Sequence, residues 1–331
     1  MTVSRTQPQP QPAGPLPTDR RRRPRWAASL LVAASAIALV ACSSTPAAST
    51  APSVAVPSAA SSTSAEPSVE PSTAPSASAA AVQDLAITGK EFAFEAPASI
   101  PAGPTKVTLT NAGKEEHQAQ IAKIADGKTF ADLIAALQGP DESAALALVS
   151  LNGGPTGVIP GASGSTTVDL TPGQYAFLCF VASPDGVPHL AKGMVAPMEV
   201  TAPASTAEVP TGDTAITLQD FAFVGLDTLS TGAHTVTVTN DGPQPHEATI
   251  VKLSDGVTAQ QLLTAFVSGE APAGPPPFTS AGGIAGIAAG STATVDVDLP
   301  AGEYAFICFV PDPATGKAHA ELGMVGALTV Q

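Results

Sequence analysis

Apolar and polar residues alternate along much of the chain in short, β-branched runs closed by Gly or Pro, as in Lys106-Val107-Thr108-Leu109-Thr110 and Thr235-Val236-Thr237-Val238-Thr239. A period of two predicts strands with one face buried, and many short strands in succession predict an antiparallel sandwich. A second period interrupts the first. Phe130, Leu133, Ile134 and Leu137 stand at i, i+3, i+4 and i+7 behind Thr129, with Asp132 in reach of a capping box, which predicts a helix. Ala259, Leu262, Leu263 and Phe266 repeat that spacing behind Thr258 and Gln261, so a helix is expected to pack on the sandwich in both places. One run breaks the alternation: Tyr175, Phe177 and Cys179 fall on one face and Ala176, Leu178 and Phe180 on the other. Both faces are apolar, which predicts an interior strand.

These recurrences come from an internal repeat. Shifted by 129 residues, the chain aligns with itself: Phe92-Ala93-Phe94 falls on Phe221-Ala222-Phe223, Gly103 on Gly232 and Asn111 on Asn240. Gly153, Gly154, Gly157 and Gly161 fall on Gly282, Gly283, Gly286 and Gly290, and Tyr175 to Val181 on Tyr304 to Val310. One extra residue in the second copy then moves the offset to 130. The expected domains are residues 83–202 and 212–331, joined by a short linker, 203–211, that would keep them close neighbours.

Length and charge refine this picture. The 331 residues, 44% hydrophobic, suffice for two cores. All six arginines lie in the first 25 residues; beyond residue 41 there are 8 Lys against 27 Asp plus Glu, a net charge of about −19. A polyphosphate would be repelled, which excludes nucleic acid as a partner. Arg20 to Arg25 precede an apolar run, Trp26 to Ala41, that is short for a membrane span. Basic, then apolar, then small residues make an export signal over 1–41. Its ending, Leu39-Val40-Ala41-Cys42, resembles the lipobox of bacterial lipoproteins, which implies lipidation at Cys42 and attachment to a membrane outside the cytoplasm. Residues 42–82 are nearly all Ser, Thr, Ala and Pro, too poor in apolar bulk to order, and read as a tether.

The soft ligand types are scarce and patterned. After Cys42 there are two Cys, five His and three Met, and eight of these ten form two sets in one order: His117, Cys179, His189, Met194 and His246, Cys308, His319, Met324. Two imidazoles, a thiolate and a weak axial thioether are the ligand set of blue copper. In each set four residues separate the later His from the Met, and Gly193 or Gly323 just before the Met permits a sharp turn. His234, opposite Thr105 in the first copy, reads as a surface residue, and Met198 as packing. The competing readings of Cys179 and Cys308 are buried free thiols or a disulfide.

Asn111 to His117 and Asn240 to His246 resemble the plastocyanin segment that carries the first copper ligand, and the Cys…His-x4-Met closure matches as well. On these residues, over both repeats, the chain is identified as similar to the cupredoxins. The resemblance implies an all-β chain of two tandem Greek-key sandwiches, each with a short helical insertion and one type 1 copper. It further implies one-electron transfer through the exposed edge of the second His, here His189 and His319. Small blue copper proteins leave two to four residues between Cys and that His; here there are nine and ten, a longer loop that resembles the copper nitrite reductases.

An enzyme is not expected. The trinuclear site of multicopper oxidases needs His-x-His pairs, which the chain lacks, and the dinuclear electron-transfer site needs two Cys in one loop. A Cys or Ser nucleophile needs a nearby His and a third orienting group, and the Met favours ligation instead. An electron carrier is the leading expectation, with a redox partner whose basic surface would suit the acidic excess. A metal-free interaction module and a copper-trafficking protein stand beside it.

Overall fold

The computed structural model describes residues 82–139, 143–202, 207–268 and 276–331. The expected export signal, Cys42, nearly all of the expected tether and residues 203–206 of the expected linker lie outside them.

The first repeat contains strands β1 (Gln83–Lys90), β2 (Ala93–Glu95), β3 (Ser99–Pro101), β4 (Gly103–Asn111), β5 (Gln120–Ile124), β6 (Val149–Leu151), β7 (Ser163–Leu170), β8 (Gly173–Leu178) and β9 (Val195–Thr201). Helices α1 (Phe130–Leu137) and α2 (Ser143–Leu146) lie between β5 and β6. The second repeat runs β10 (Thr214–Gln219), β11 (Ala222–Val224), β12 (Gly232–Asn240), β13 (His246–Leu253), α3 (Ala259–Ser268), β14 (Phe278–Ile287), β15 (Thr292–Leu299), β16 (Gly302–Ile307) and β17 (Val325–Val330). Strand β4 falls on β12, β7 on β15 and β8 on β16 at the offset read from the sequence.

Each repeat is a two-sheet β-sandwich. In the first, β2-β1-β4-β7 faces β3-β9-β8-β5-β6; in the second, β11-β10-β12-β15 faces β14-β13-β16-β17. The expectation of an antiparallel sandwich is corrected where β1 pairs with β4, β3 with β9 and β10 with β12, all in parallel. The chain leaves β1 through β2 on one flank and β3 in the facing sheet, then returns as β4 on the other flank of β1, a crossover that places β1 and β4 in the same direction. The interior is filled by Leu85, Val107 and Leu109 from one sheet and Ile121, Tyr175, Phe177 and Val200 from the other.

The other face of β8 is buried as well, beneath α1. Ala176 and Leu178 pack with Ala122, Ile124 and Leu133, and Ala305 and Ile307 do the same with Val251, Leu253 and Leu262 under α3. The helix predicted at Phe130 starts as expected: Asp132 N–H donates to Thr129 Oγ1 and Thr129 N–H to Asp132 Oδ2, at 3.2 and 2.8 Å. This extra layer explains why the Cys strand is apolar on both faces up to Cys179, beyond which Phe180 emerges 38% exposed.

The repeats join into one body. Strand β7 pairs with β15 antiparallel, so the two outer sheets form a single eight-stranded sheet. On the other side the aligned glycines meet: Gly153 N–H donates to Gly286 O and Ala285 N–H to Gly154 O, both at 2.8 Å. A Cβ on Gly286 would lie 2.7 Å from Leu151 Cδ1, and one on Gly157, at φ +65°, 3.1 Å from Gly282 O. The repeated glycines are thus the condition for close backbone approach between the halves.

Candidate metal centres

The turn before the first His is built by Asn111. Its side-chain amide donates to Glu115 O and Val158 O, each at 2.7 Å, while its Oδ1 accepts from Gly113 N–H at 2.8 Å. Asn240 repeats this toward Gln244 O, Ile287 O and Gly242 N–H. The turn then lies directly over the imidazole. A Cβ on Gly113 would come within 2.6 Å of His117 Nε2, and one on Gly242 within 2.7 Å of His246 Nε2, so glycine is the residue that fits.

The Cys–His loop, long for a small cupredoxin, closes like a hairpin. His189 N–H donates to Val181 O and Leu190 N–H to Cys179 O, at 2.8 Å each, while Ser183 to Val187 form the tip with Gly186 at φ +79°. His319 and Ala320 are held in the same way by Val310 O and Cys308 O, the tip there lying at Asp312 to Lys317. The additional residues are absorbed at the tip, leaving Cys and His side by side. Met194 N–H and Met324 N–H then donate to His189 O and His319 O at 2.9 Å, after Gly193 at φ +99° and Gly323 at φ +111°.

The outcome is two clusters of converging ligand atoms. His117 Nδ1 lies 3.2 Å from His189 Nδ1, which lies 3.4 Å from Cys179 Sγ. His246 Nδ1 is 2.9 Å from His319 Nδ1, and Cys308 Sγ is 3.4 Å from His319 Nδ1 and 3.9 Å from His246 Nδ1. All six side chains, with Met194 and Met324, are fully buried. Both cysteines are free, which removes the disulfide reading. His234 stands apart, bonded to Asp213 and Ser230 O on the surface, and Met198 is core.

The arrangement fits a cation. His246 Nε2 faces Asp220 Oδ1 at 2.6 Å, His319 Nε2 faces Gln244 Oε1 at 3.2 Å and His189 Nε2 faces Glu115 Oε2 at 2.9 Å. These oxygens are acceptors, which assigns the ring proton to Nε2 and leaves the Nδ1 lone pairs aimed at a common point. A first-row ion bound at roughly 2.0–2.3 Å, the range zinc shows with imidazole and thiolate, would hold its ligand atoms about this far apart. Without one the site is costly to ionise: burial pushes the Cys179 thiol up to about 11 and Cys308 higher still, and holds His319 down at about 4. Gln118 N–H and Glu247 N–H reach Cys179 Sγ and Cys308 Sγ at 3.4 Å, ready to share thiolate charge.

One implication of the resemblance is corrected. The second histidines have no exposed edge: His189 is covered by Glu115 and by Phe92, edge-to-face at 4.9 Å, and His319 by Gln244 and Phe221 at 5.0 Å. The carboxylates and amides behind the imidazoles were not singled out from the sequence. The only signal was their alignment, Glu91 with Asp220 and Glu115 with Gln244, beside the repeated Phe-Ala-Phe.

No protein-family model and no curated protein matches the chain. Among solved structures, a reduced auracyanin from the photosynthetic bacterium Roseiflexus castenholzii is 25% identical over 36% of this chain and 95% of its own, with a TM-score of 0.25. Auracyanin A, a "blue" copper protein from Chloroflexus aurantiacus, is 24% identical over 36% and 98%, with a TM-score of 0.25. A copper nitrite reductase from Nitrosomonas europaea is 15% identical over 76% and 94%, with a TM-score of 0.22. At such scores these likenesses carry no weight.

Proposed function

We propose that the protein is a copper-binding, one-electron carrier with one type 1 centre in each repeat, held outside the cytoplasm by a lipid on Cys42. The observation that carries this reading is the pair of buried His2Cys clusters, each with a Met held next to it by a backbone bond. His117, Cys179 and His189 would be the strong ligands with Met194 the weak axial one; His246, Cys308, His319 and Met324 would serve in the second centre. Copper so bound supplies a Cu(II)/Cu(I) couple. The chain's part is to exclude water and to hold the ligand atoms in nearly the same place in both oxidation states. Buried carbonyl and amide bonds fix Cys179 and His189 to each other, which suits fast, reversible electron exchange. With His189 and His319 covered, the electron would leave by another face of the centre, and Phe180 and Phe309, which follow the cysteines in sequence and are 38% and 42% exposed, offer such an apolar surface. The net negative charge would favour a redox partner with a basic surface.

The test is to load the full chain with Cu(II) and follow the visible thiolate-to-copper band through cycles of reduction and reoxidation, with a Cu(I) chelator present in a parallel run. Reversible bleaching without loss of copper supports the carrier. Rapid loss of Cu(I) to the chelator would favour trafficking, and a protein that takes up no copper would favour the metal-free interaction module.

A further inference from the structure

The ligand side chains of both centres are fully buried, so an ion enters or leaves only when a covering group moves; this inference rests on the copper reading above. Much of the cover on the first centre is tied down through the backbone. The turn over His117 is held by Asn111, and main-chain bonds hold Cys179 and His189 to each other. The cover on the His189 ring differs, because side chains make it. Beside Glu115, Phe92 lies edge-to-face on the ring at 4.9 Å, and Lys192 Nζ sits 4.8 Å from the centre of the Phe92 ring. The same Nζ donates to Asp185 Oδ2 at 2.9 Å, the two side chains being 21% and 59% exposed.

These residues cross the mouth of the centre as a strap. Asp185 stands at the tip of the Cys–His loop, its Oδ1 accepting from Val187 N–H at 3.0 Å. Lys192 is rooted in the turn before Met194, where its backbone N–H donates to His189 O at 3.0 Å, and its long side chain reaches back over Phe92. A cation on a ring and an ion pair at the surface are both weak contacts in water, and salt screens the pair.

The second centre has no such strap. Phe221 covers His319 at 5.0 Å in the same edge-to-face way, but Leu322 stands where Lys192 does, and among the described residues no cation lies over Phe221. Asp312, in the corresponding loop, turns back on its own tip, where its Oδ2 accepts from Thr315 N–H and Oγ1 at 2.9 and 2.7 Å.

We propose that Asp185, Lys192 and Phe92 gate the passage of metal into and out of the first centre, which therefore exchanges copper at a salt-sensitive rate, whereas the second exchanges copper at a rate that these contacts do not set. Breaking the strap speeds entry and exit alike and leaves affinity unchanged, because the side chains of Lys192 and Asp185 bond to no ligand atom.

The test uses the full chain, first without metal and then loaded with copper. In the reduced, metal-free chain, alkylation of Cys179 and Cys308 by N-ethylmaleimide is followed by mass spectrometry. The reagent is uncharged, so salt does not screen its approach, and it reaches a buried thiol only when the cover opens. Lys192→Ala should speed labelling of Cys179 by about three- to tenfold and leave that of Cys308 unchanged. Asp185→Asn should act in the same direction by less. High salt should speed Cys179 labelling in the unaltered chain and add nothing in Lys192→Ala. In the copper-loaded chain, with Cys308→Ser isolating the first centre, Lys192→Ala should speed transfer of Cu(I) to a chelator by a similar factor, with copper stoichiometry and affinity unchanged. Labelling of Cys179 unmoved by Lys192→Ala, a rise shared by both cysteines, or copper transfer unmoved while labelling rises would each overturn the gate and leave the copper centres standing. A chain that takes up no copper would remove the copper reading and the strap's role toward metal together.

Discussion

The two repeats hold the same three ligand atoms in the same order, yet two of the groups behind those atoms differ in kind. A carboxylate faces the first His in both, Glu91 at 3.5 Å and Asp220 at 2.6 Å, but the second His is backed by a carboxylate in the first repeat and an amide in the second, and beneath the cysteine lies an amide in the first and a carboxyl in the second. What stays constant is what the backbone does: the Asn turn, the Gly over the imidazole, the paired bonds between Cys and His, and the N–H on the sulfur. Ligand placement is therefore a property of the fold, whereas charge around it is set by side chains free to differ. Duplicated centres of this kind need not be duplicates in energy.

The comparison is broken most sharply by removing one thiolate. Cys179→Ser and Cys308→Ser should each abolish one centre, halving the visible band and the bound copper by metal analysis while leaving the other centre's spectrum in place. Next in size are the glycines above the first histidines. Gly113→Ala and Gly242→Ala place a methyl group within 2.6 and 2.7 Å of the ring nitrogen, and each should weaken copper binding in its own repeat by about 10–100-fold in a competition titration. Asn111→Ala and Asn240→Ala each remove the bonds that shape the turn, and thermal unfolding should show about 1–3 kcal/mol lost, similar in the two repeats. The smallest effect is expected at the junction, where Lys106 Nζ and Asp296 Oδ2 pair at 2.7 Å across the repeats with side chains over 40% exposed. Lys106→Ala should cost less than about 1 kcal/mol in the same measurement, because an exposed pair is screened by water and salt.

Much of the fold and of the ligand set was legible because both depend on spacing. The 129-residue offset carries whole strands onto one another, and His117, Cys179 and His189 were identifiable from residue type and order; the structure brings them, and their counterparts, to single points. Three features were not legible. The parallel pairing of β1 with β4 depends on where the chain crosses over, which alternation does not encode. The burial of His189 and His319 depends on Phe92 and Phe221, nearly a hundred residues away in sequence, packing edge-on to the rings. The aligned glycines showed only that backbone freedom was needed; that Gly153 and Gly286 meet across the two halves follows from their packing.

The central claim is that each repeat builds one copper centre from the same buried His2Cys geometry. The most direct test is to titrate Cu(II) into the full chain while measuring bound metal and the visible spectrum together. Saturation at two coppers per chain, with an intense thiolate-to-copper band growing in step, is the predicted result. A protein that stays colourless and retains no stoichiometric copper would contradict it.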